Sequence, residues 1–290
     1  MDREPGRDLM DDARRLAVIA LAEDGAFDIT TDVTMSGDPI AHARIEARTD
    51  GVFAGSVYAD AIARECGLST VDWGVSPGEA FRPGRQLGML SGSLRAILRC
   101  ERPMLNLLQR ACGIATATRA YVDALEGTSC RVLHTRKTAP GLRIFDIDAA
   151  IAGGAARHRS DLAHVVLVKD NHWRELEASG LSLSRACESA RSRGTLGFQV
   201  EVESIAQLEA ACAAGATRVL VDNQTPAVLR EWADLARRLS PGIEVEATGG
   251  IDLASVRDYA DAGADFVSIG ALTHSVRAAD ISLEVVARSG

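Results

Sequence analysis

The chain has 290 residues, of which 47% are hydrophobic and 4% aromatic, and its formal net charge is −8 at pH 7. This length suits one α/β barrel or two smaller domains, with a core built mainly from Ala, Val, Leu and Ile. The acidic balance argues against nonspecific nucleic-acid binding, which needs a basic face, and no apolar run approaches the ~20 residues of a membrane span.

The cysteines and the first residues indicate a reducing compartment. Six cysteines are scattered along the chain without a Cys-x-x-Cys pair, which argues against a zinc site. The opening stretch MDREPGRDLMDDARR mixes acidic and basic residues and leads into no apolar segment, so we expect no secretory signal. The thiols are therefore expected to be reduced, mostly buried and cytoplasmic.

The first hundred residues predict an α+β domain. Residues 8–24 have helical periodicity, and the stretches ARIEARTDGVFAGSVY and SPGEAFRPGRQLGMLSGSLRAIL are typical of strands separated by glycine turns. Residues 101–126 predict a long helix that ends at Gly127 and joins this domain to the next.

From Arg131 onward, short apolar runs alternate with helical stretches. The runs are RVLHT, HVVLVKD, FQVEVE, RVLVDN, IEVEAT and DFVSIG. This alternation predicts βα units around a parallel sheet, with helices that close at or near glycine. Because only six or so strands are present, an α/β barrel with an open or irregular side is favoured, and a doubly wound sheet is the alternative. No G-x-G-x-x-G follows the first strand, so nothing favours dinucleotide binding.

Charged residues or glycine-rich turns follow these strands, at the end where a parallel barrel builds its site. The cationic members, suited to carboxylates, are Arg136, Lys137, His158, Arg159 and Lys169. They belong to a basic segment, residues 131–172, that also contains His134, His164 and His172. The two lysines in this set are the only lysines of the chain, and we expect both to act as compact point charges.

The remaining strand ends are anionic or rich in glycine. Glu201 and Asp222 suit sugar hydroxyls, Mg²⁺ or a developing cation, and the turns Thr248-Gly249-Gly250 and Gly270-Ala271 are typical of phosphate cradles. Together, the strand ends predict a ligand with carboxylates, a ribose-like part and a phosphate.

Each position also has a structural interpretation. Glu201 could lie on an outward strand face shared with Gln199 and Glu203, and Asp222-Asn223 could form a helix cap before Thr225. His164 is expected to begin a strand and to be structural. The coincidence of the other residues at one rim is what favours a functional site.

These motifs resemble the quinolinate phosphoribosyltransferase family, the carboxylating nicotinate-nucleotide pyrophosphorylases of NAD synthesis. The resemblance is carried by TRKTAPGLR, GGAARHR, LVKDNH, VEVES, LVDN, ATGGI and SIGALTHSVRAADISL, with ERPMLNLLQRACGIAT nearer the N-terminus. It implies an N-terminal α/β sandwich domain at residues 1–112, on which residues 275–290 pack, and an open, seven-stranded α/β barrel at residues 113–274. It also implies a cytoplasmic homodimer in which Arg102 reaches the partner's site.

The resemblance also implies roles for single residues. Lys137, Glu201 and Asp222 would be catalytic, with the two carboxylates also binding ribose and, directly or indirectly, Mg²⁺. The other substrate-binding residues would be Arg102, Thr135, Arg136, His158, Arg159, Lys169, Thr248, Gly249, Gly250, Gly270 and His274. The substrates would be quinolinate and phosphoribosyl pyrophosphate.

One departure from the family pattern leaves the acceptor open. After PGLR the chain reads IFDIDAA, so Ile147 stands where the family has a lysine. The alternative hypothesis is a paralogue that acts on a related aromatic acid.

Three further hypotheses about the function have less support from the residues. A molybdenum-transport-associated homologue tends to lose the lysine that this chain keeps at 169. A noncatalytic anion-binding protein would be expected to lose Glu201 and Asp222. An aldolase-like barrel would need a Schiff-base lysine in an apolar pocket.

Overall fold

A computed structural model describes residues 9–163 and 165–289. His164, predicted to begin a strand, and the first eight residues of the opening stretch lie outside the described residues. The chain divides into a first unit, Met1–Arg119, Thr138–Gly154 and Leu272–Gly290, and a second unit, Ala120–Lys137 and Ala155–Ala271. No helix within the described ranges is long and apolar enough to cross a lipid bilayer.

The helices, in chain order, are α1 (Leu9–Glu23), α2 (Ile29–Thr34), α3 (Ser56–Glu65), α4 (Leu94–Ala124), α5 (Arg143–Ala152), α6 (Asp170–Ser179), α7 (Leu183–Ser192), α8 (Ile205–Ala214), α9 (Pro226–Leu239), α10 (Val256–Asp261) and α11 (Ala271–His274). The strands are β1 (Ile40–Ala47), β2 (Gly51–Val52), β3 (Asp72–Trp73), β4 (Ala80–Phe81), β5 (Gln86–Ser93), β6 (Arg131–Leu133), β7 (Val165–Val168), β8 (Gly197–Val202), β9 (Arg218–Asp222), β10 (Glu244–Thr248), β11 (Phe266–Ser268) and β12 (Ile281–Ser289).

The first unit contains an antiparallel sheet of four strands in the order β12-β1-β5-β3. Its core includes Ile45, Ile62, Leu90 and Leu108, all fully buried. The C-terminal strand β12 pairs with β1 along its whole length. Gly113 of α4 permits the chain before β12 to approach this helix, because a Cβ at residue 113 would collide with the carbonyl oxygen of Arg277.

The second unit contains six parallel strands in the order β6-β11-β10-β9-β8-β7. Within the described chain, β6 and β7 form the two edges, and the free edge of β6 carries a single bridge between Leu133 and Ala156. The sheet is therefore open between β6 and β7, the two strands that a closed barrel would pair. Among the described residues, a seventh strand beside β6 is reduced to the Leu133–Ala156 bridge. The α/β class with an open parallel barrel is confirmed.

Helices and strands alternate in the second unit as the sequence predicts. Helices α6 and α8 end at Gly180 and Gly215, whose φ values of +66° and +80° favour glycine. Valines at alternating positions of the central strands, such as Val200, Val219 and Val245, are fully buried. The intervening residues of β8 to β10 are mostly polar, and they occupy the opposite face of the sheet.

Two element boundaries differ from the sequence prediction. Helix α4 begins at Leu94 rather than near residue 101, because Ser93 Oγ accepts a hydrogen bond from the Ala96 N–H at 3.1 Å and so caps the helix. The stretch GSVY is expected in a strand, but its last three residues begin α3. Its first residue, Gly55, has a φ of +91° and precedes the helix. Both helices begin where a local cap or turn overrides the strand-like pattern.

Candidate active site

Two carboxylates lie on neighbouring strands at the C-terminal end of the parallel sheet. Asp222 is the last residue of β9, and Glu201 lies in β8, paired with Leu220 of β9. Lys169, directly after β7, donates a short hydrogen bond from Nζ to Glu201 Oε2. Glu201 is only 8% exposed, so its interpretation as an outward surface residue is wrong.

Partial burial affects the titration of both carboxylates. Burial raises the pKa of Glu201, and the hydrogen bond and charge of Lys169 offset only part of that effect. Burial also raises the pKa of Asp222, against the attraction of Lys169 and Lys137. Removal from water strengthens the interaction of these carboxylates with nearby charge, which is the property a site for a cationic transition state requires.

Trp173 is a further contact of this strand end that the sequence did not reveal. Its indole Nε1 donates a hydrogen bond to the backbone carbonyl of Glu201 at 2.9 Å. The tryptophan lies in α6, whose N-cap is Lys169. One short helix therefore fixes both the backbone of Glu201 and the lysine that pairs with its side chain.

Two arginines of the cationic set, Arg136 and Arg159, lie close enough to influence one another. Burial lowers the pKa of Arg159, and the positive charge of Arg136 lowers it further. The Nε of Arg136 is buried and has no hydrogen-bond partner among the described residues. Two arginines that repel one another, one with an unused buried donor, form a site that an anionic ligand would stabilise.

His134 is not part of the cationic set. It is only 1% exposed, and its Nε2 accepts a hydrogen bond from the backbone N–H of His158 at 3.1 Å. Burial lowers its pKa to about 4, and the charges of His158 and Arg157 act in the same direction. The ring is therefore neutral near pH 7 and serves as an acceptor that fixes the backbone at His158.

We expect His134 to make stability depend on pH. Its pKa of about 4 in the folded chain lies below the ordinary histidine value of 6.5, so folding disfavours the protonated ring. This contribution is present above pH 6.5 and is lost as pH falls toward 4, with a full size on the order of 3 kcal/mol. Urea unfolding of wild type and His134→Gln between pH 4 and 7.5 tests it. The substitution should flatten the loss, and identical slopes for the two proteins would contradict the assignment.

His172 also acts as a hydrogen-bond acceptor. Its Nδ1 accepts from the backbone N–H of Lys169 at 3.0 Å, which completes the cap of α6. His172 belongs to the basic segment, residues 131–172, but this contact gives it a structural role at the start of the helix.

The turn after β10 has the backbone expected of an anion cradle. Gly249 and Gly250 have φ values of +86° and +64°. A Cβ at Gly249 would collide with Asn223 Oδ1, and the Asn223 N–H donates to the Thr248 carbonyl at 2.9 Å. Asn223, itself at φ of +53°, therefore shapes this turn, a role its sequence position did not reveal.

Asp222 is not used as a helix cap. Thr225 caps α9 by accepting a hydrogen bond from the Val228 N–H, and Asp222 accepts one from Asn223 Nδ2 at 2.6 Å. Thr135 binds the Lys137 N–H at 3.1 Å. Gly270 lies two residues after β11. Twelve of the fourteen predicted site residues thus belong to the second unit. They are Thr135, Arg136, Lys137, His158, Arg159, Lys169, Glu201, Asp222, Thr248, Gly249, Gly250 and Gly270.

Arg102 and His274 belong to the first unit. Arg102 is exposed on α4. His274 is exposed at the end of α11, with its Nδ1 2.7 Å from Ser275 Oγ. Their predicted contacts with substrate remain predictions.

Ile147 is a core residue of the first unit. It lies in α5 and is 6% exposed. Its neighbour Asp146 is fully buried and forms a two-point ion pair with Arg110, at 2.9 and 2.8 Å. An apolar side chain suits this buried position in α5.

The carboxylates fit Mg²⁺ only in combination with a ligand that supplies further oxygens. Among the described residues, no group of three or more His, Cys, Asp or Glu side chains could hold a metal ion. Magnesium is commonly held by one or two carboxylates together with substrate phosphates. Glu201 and Asp222 at adjacent strand ends match that kind of site.

Comparison with known proteins identifies relatives over nearly the whole chain. The profile of the quinolinate phosphoribosyl transferase N-terminal domain matches residues 28–112, and that of the C-terminal domain matches residues 114–284. The probable nicotinate-nucleotide pyrophosphorylase [carboxylating] of Bacillus subtilis is 38% identical over 91% of this chain and 90% of its own. Quinolinate phosphoribosyltransferase [decarboxylating] 1b of Nicotiana tabacum is 33% identical over 94% of this chain and 82% of its own. The solved nicotinate-nucleotide pyrophosphorylase of Francisella tularensis superposes with a TM-score of 0.89 at 29% identity, covering 99% of this chain and 100% of that one.

Proposed function

The chain belongs to the quinolinate phosphoribosyltransferase family, and we propose that it transfers phosphoribosyl from phosphoribosyl pyrophosphate to quinolinate with loss of CO₂. The products are nicotinate mononucleotide, pyrophosphate and CO₂, a step of NAD synthesis. The observation that carries the proposal is the presence, in one unit, of Arg136 with an unused buried donor, Arg159 beside it, and the carboxylates of Glu201, which is buried, and Asp222, which is partly exposed.

The cationic set would bind the two quinolinate carboxylates. The buried Nε of Arg136 has a donor to offer, and an arginine fork matches a carboxylate in a two-point contact. His158 and Lys169 would complete the clamp, with Lys137 as an exposed point charge at its edge. These cations would neutralise the negative charge of the two quinolinate carboxylates. With both carboxylates fixed, the pyridine nitrogen would be held toward the sugar.

Glu201 and Asp222 would act on the sugar. The bond from C1 of the ribose to pyrophosphate breaks with both electrons leaving on oxygen, and the quinolinate nitrogen forms the new bond to C1. The positive character that develops on the ribose is stabilised by the two carboxylates, which also accept hydrogen bonds from its hydroxyls. The 5′-phosphate would lie at Thr248 to Gly250 and Gly270.

Decarboxylation follows from the charge of the pyridinium ring. The bond from C2 to its carboxylate breaks, and its electron pair remains at C2, stabilised by the adjacent positive nitrogen until a proton is taken up there. We propose no separate acid for this step. Bound Mg²⁺ would supply charge neutralisation for the departing pyrophosphate, with Glu201 and Asp222 as its protein ligands.

A coupled turnover assay tests the proposed reaction. Purified protein would receive quinolinate, phosphoribosyl pyrophosphate and Mg²⁺, and nicotinate mononucleotide and CO₂ would be followed together. We expect the two products in equal amounts. Absence of both, from folded protein that still binds phosphoribosyl pyrophosphate, would show that the acceptor is another acid.

We propose further that the protein is a cytoplasmic homodimer in which Arg102 enters the partner's site. Cytoplasmic location is supported by the cysteines, all of which are free thiols, with five of them buried. Dimerisation is supported by large apolar side chains left exposed in the first unit, where Phe27, Ile29 and Val33 are 85%, 70% and 73% exposed. Apolar clusters of this kind commonly mark interfaces.

Replacing Phe27 tests the dimer. Light scattering should give twice the chain mass of 30.7 kDa for wild type, and Phe27→Ser should shift the protein toward monomer. Leu196→Ser, at an exposed leucine of the second unit, is the matched control and should not. A wild-type protein that stays monomeric at micromolar concentration would contradict the proposal.

A further inference from the structure

A fully buried carboxylate lies within the parallel sheet of the second unit. Glu246, in β10, is 1% exposed. It accepts hydrogen bonds from Arg218 Nη1 at 3.1 Å and, over a short contact, from Ser268 Oγ, and His158 Nε2 lies 3.5 Å from its Oε2. Barrel interiors are usually filled by branched apolar side chains, and a buried charge is costly unless it is paired. An acidic residue at this position therefore calls for an explanation.

Its surroundings keep Glu246 ionised. Burial raises its pKa, but the nearby His158 ring, the charge of Arg218 and the hydroxyl of Ser268 together bring the pKa below the ordinary value. Arg218 is itself held in place by a cation–π contact, with its guanidinium 4.1 Å from the ring centre of Phe266. The carboxylate is thus a fixed charge on a rigid support.

That fixed charge faces His158, a residue of the cationic set. The backbone N–H of His158 donates to His134 Nε2 at 3.1 Å. Its ring Nε2 is buried, has no hydrogen-bond partner among the described residues, and lies 3.5 Å from Glu246 Oε2, the carboxylate oxygen it faces. With Nε2 directed at Glu246, the opposite nitrogen, Nδ1, is the one left to meet a ligand. A histidine oriented in this way presents Nδ1 in one direction only, and the doubly protonated ring can donate from Nδ1 to a carboxylate there.

We propose that Glu246 is a positioning residue, which sets the orientation of the His158 ring for a substrate carboxylate, and that Arg218 and Ser268 hold Glu246 in place for this purpose. The proposal rests on the proposed function, because the ring orientation affects turnover only if His158 binds quinolinate.

The chain offers a matched pair of substitutions. Glu244 and Glu246 lie on the same strand and both pair with Arg218, but Glu244 has a side chain 46% exposed and contacts Arg218 alone among the partners described here. Glu246→Gln should lower kcat/KM for quinolinate roughly 10- to 100-fold, as expected for a misoriented binding group. Glu244→Gln should leave it unchanged.

A double-mutant cycle separates positioning from general destabilisation. In a His158→Asn background, Glu246→Gln should cause little further loss, since the residue it acts through is already absent. An equal loss with and without His158 would overturn the proposal. If Glu246→Gln fails to fold, Ser268→Ala replaces it in the same cycle, with a smaller loss expected and the same dependence on His158.

A measurement without turnover makes the two proposals distinguishable. Nitrogen-15 NMR of the His158 ring, assigned by comparison with His158→Asn, should show the proton on Nε2 in wild type. Glu246→Gln should redistribute it between the ring nitrogens, and Glu244→Gln should not. Unchanged ring shifts in Glu246→Gln would overturn the positioning role, even if the enzyme is active. Altered shifts in a protein that does not turn over quinolinate would support it and reject the acceptor instead.

Discussion

Replacing Glu201 by glutamine is expected to lower kcat by about 10²- to 10³-fold, the range observed when one preorganised electrostatic group is removed from an active site. Glutamine keeps the size of the side chain and can still accept a hydrogen bond from Lys169. What it loses is the negative charge that, in the proposed reaction, stabilises the positive character on the ribose. Because that charge appears mainly in the transition state, the effect should fall on kcat more than on the KM for phosphoribosyl pyrophosphate.

Glu203→Gln is the control for this prediction. Glu203 lies two residues further along the same strand end and is exposed, so it shares the local backbone but not the contact with Lys169. Steady-state rates and thermal unfolding of the two variants would be compared with wild type. A Glu201→Gln enzyme that retains most of its kcat, or a Glu203→Gln enzyme that loses as much, would contradict the role assigned to Glu201.

The outcome at Glu201 also shows what could be predicted from sequence. Alternation along FQVEVE predicts a strand but not which face is functional, because Gln199, Glu201 and Glu203 share one side. The rule that parallel strands deliver their C-terminal ends to one edge resolved this choice, since Lys169 follows a neighbouring strand and pairs with Glu201. The parallel pairing of these strands was predictable from the alternation of strands and helices.

The parts that could not be predicted depend on contacts between distant residues. His134 resembles the other basic residues of its segment, yet the backbone N–H of residue 158 makes it a buried acceptor. Glu246 in IEVEAT is indistinguishable by pattern from the half-exposed Glu244, and only Arg218, Ser268 and His158 make it a buried charge. Local periodicity contains no information about such partners.

The choice of lysine at residue 137, beside Arg136, leads to the second large effect. Lys137→Ala should lower kcat/KM for quinolinate by about 100-fold, equivalent to about 2.7 kcal/mol, as expected when one member of a charged contact with substrate is removed. Lys137→Arg should restore only part of the loss, because a planar fork cannot replace a compact ammonium close to another guanidinium. Full activity of Lys137→Arg would show that charge alone is needed.

The scarcity of lysine gives this residue a direct chemical test. Lys137 and Lys169 are the only lysines of the chain, so an uncharged, amine-reactive acylating agent can modify just two side chains apart from the N-terminus. Lys137 is exposed and Lys169 is only partly exposed, so Lys137 should react first. Quinolinate together with pyrophosphate should slow its modification, as followed by peptide mass spectrometry. If Lys137 reacts at the same rate with and without these ligands, it does not contact them, and the loss expected in Lys137→Ala would need another cause.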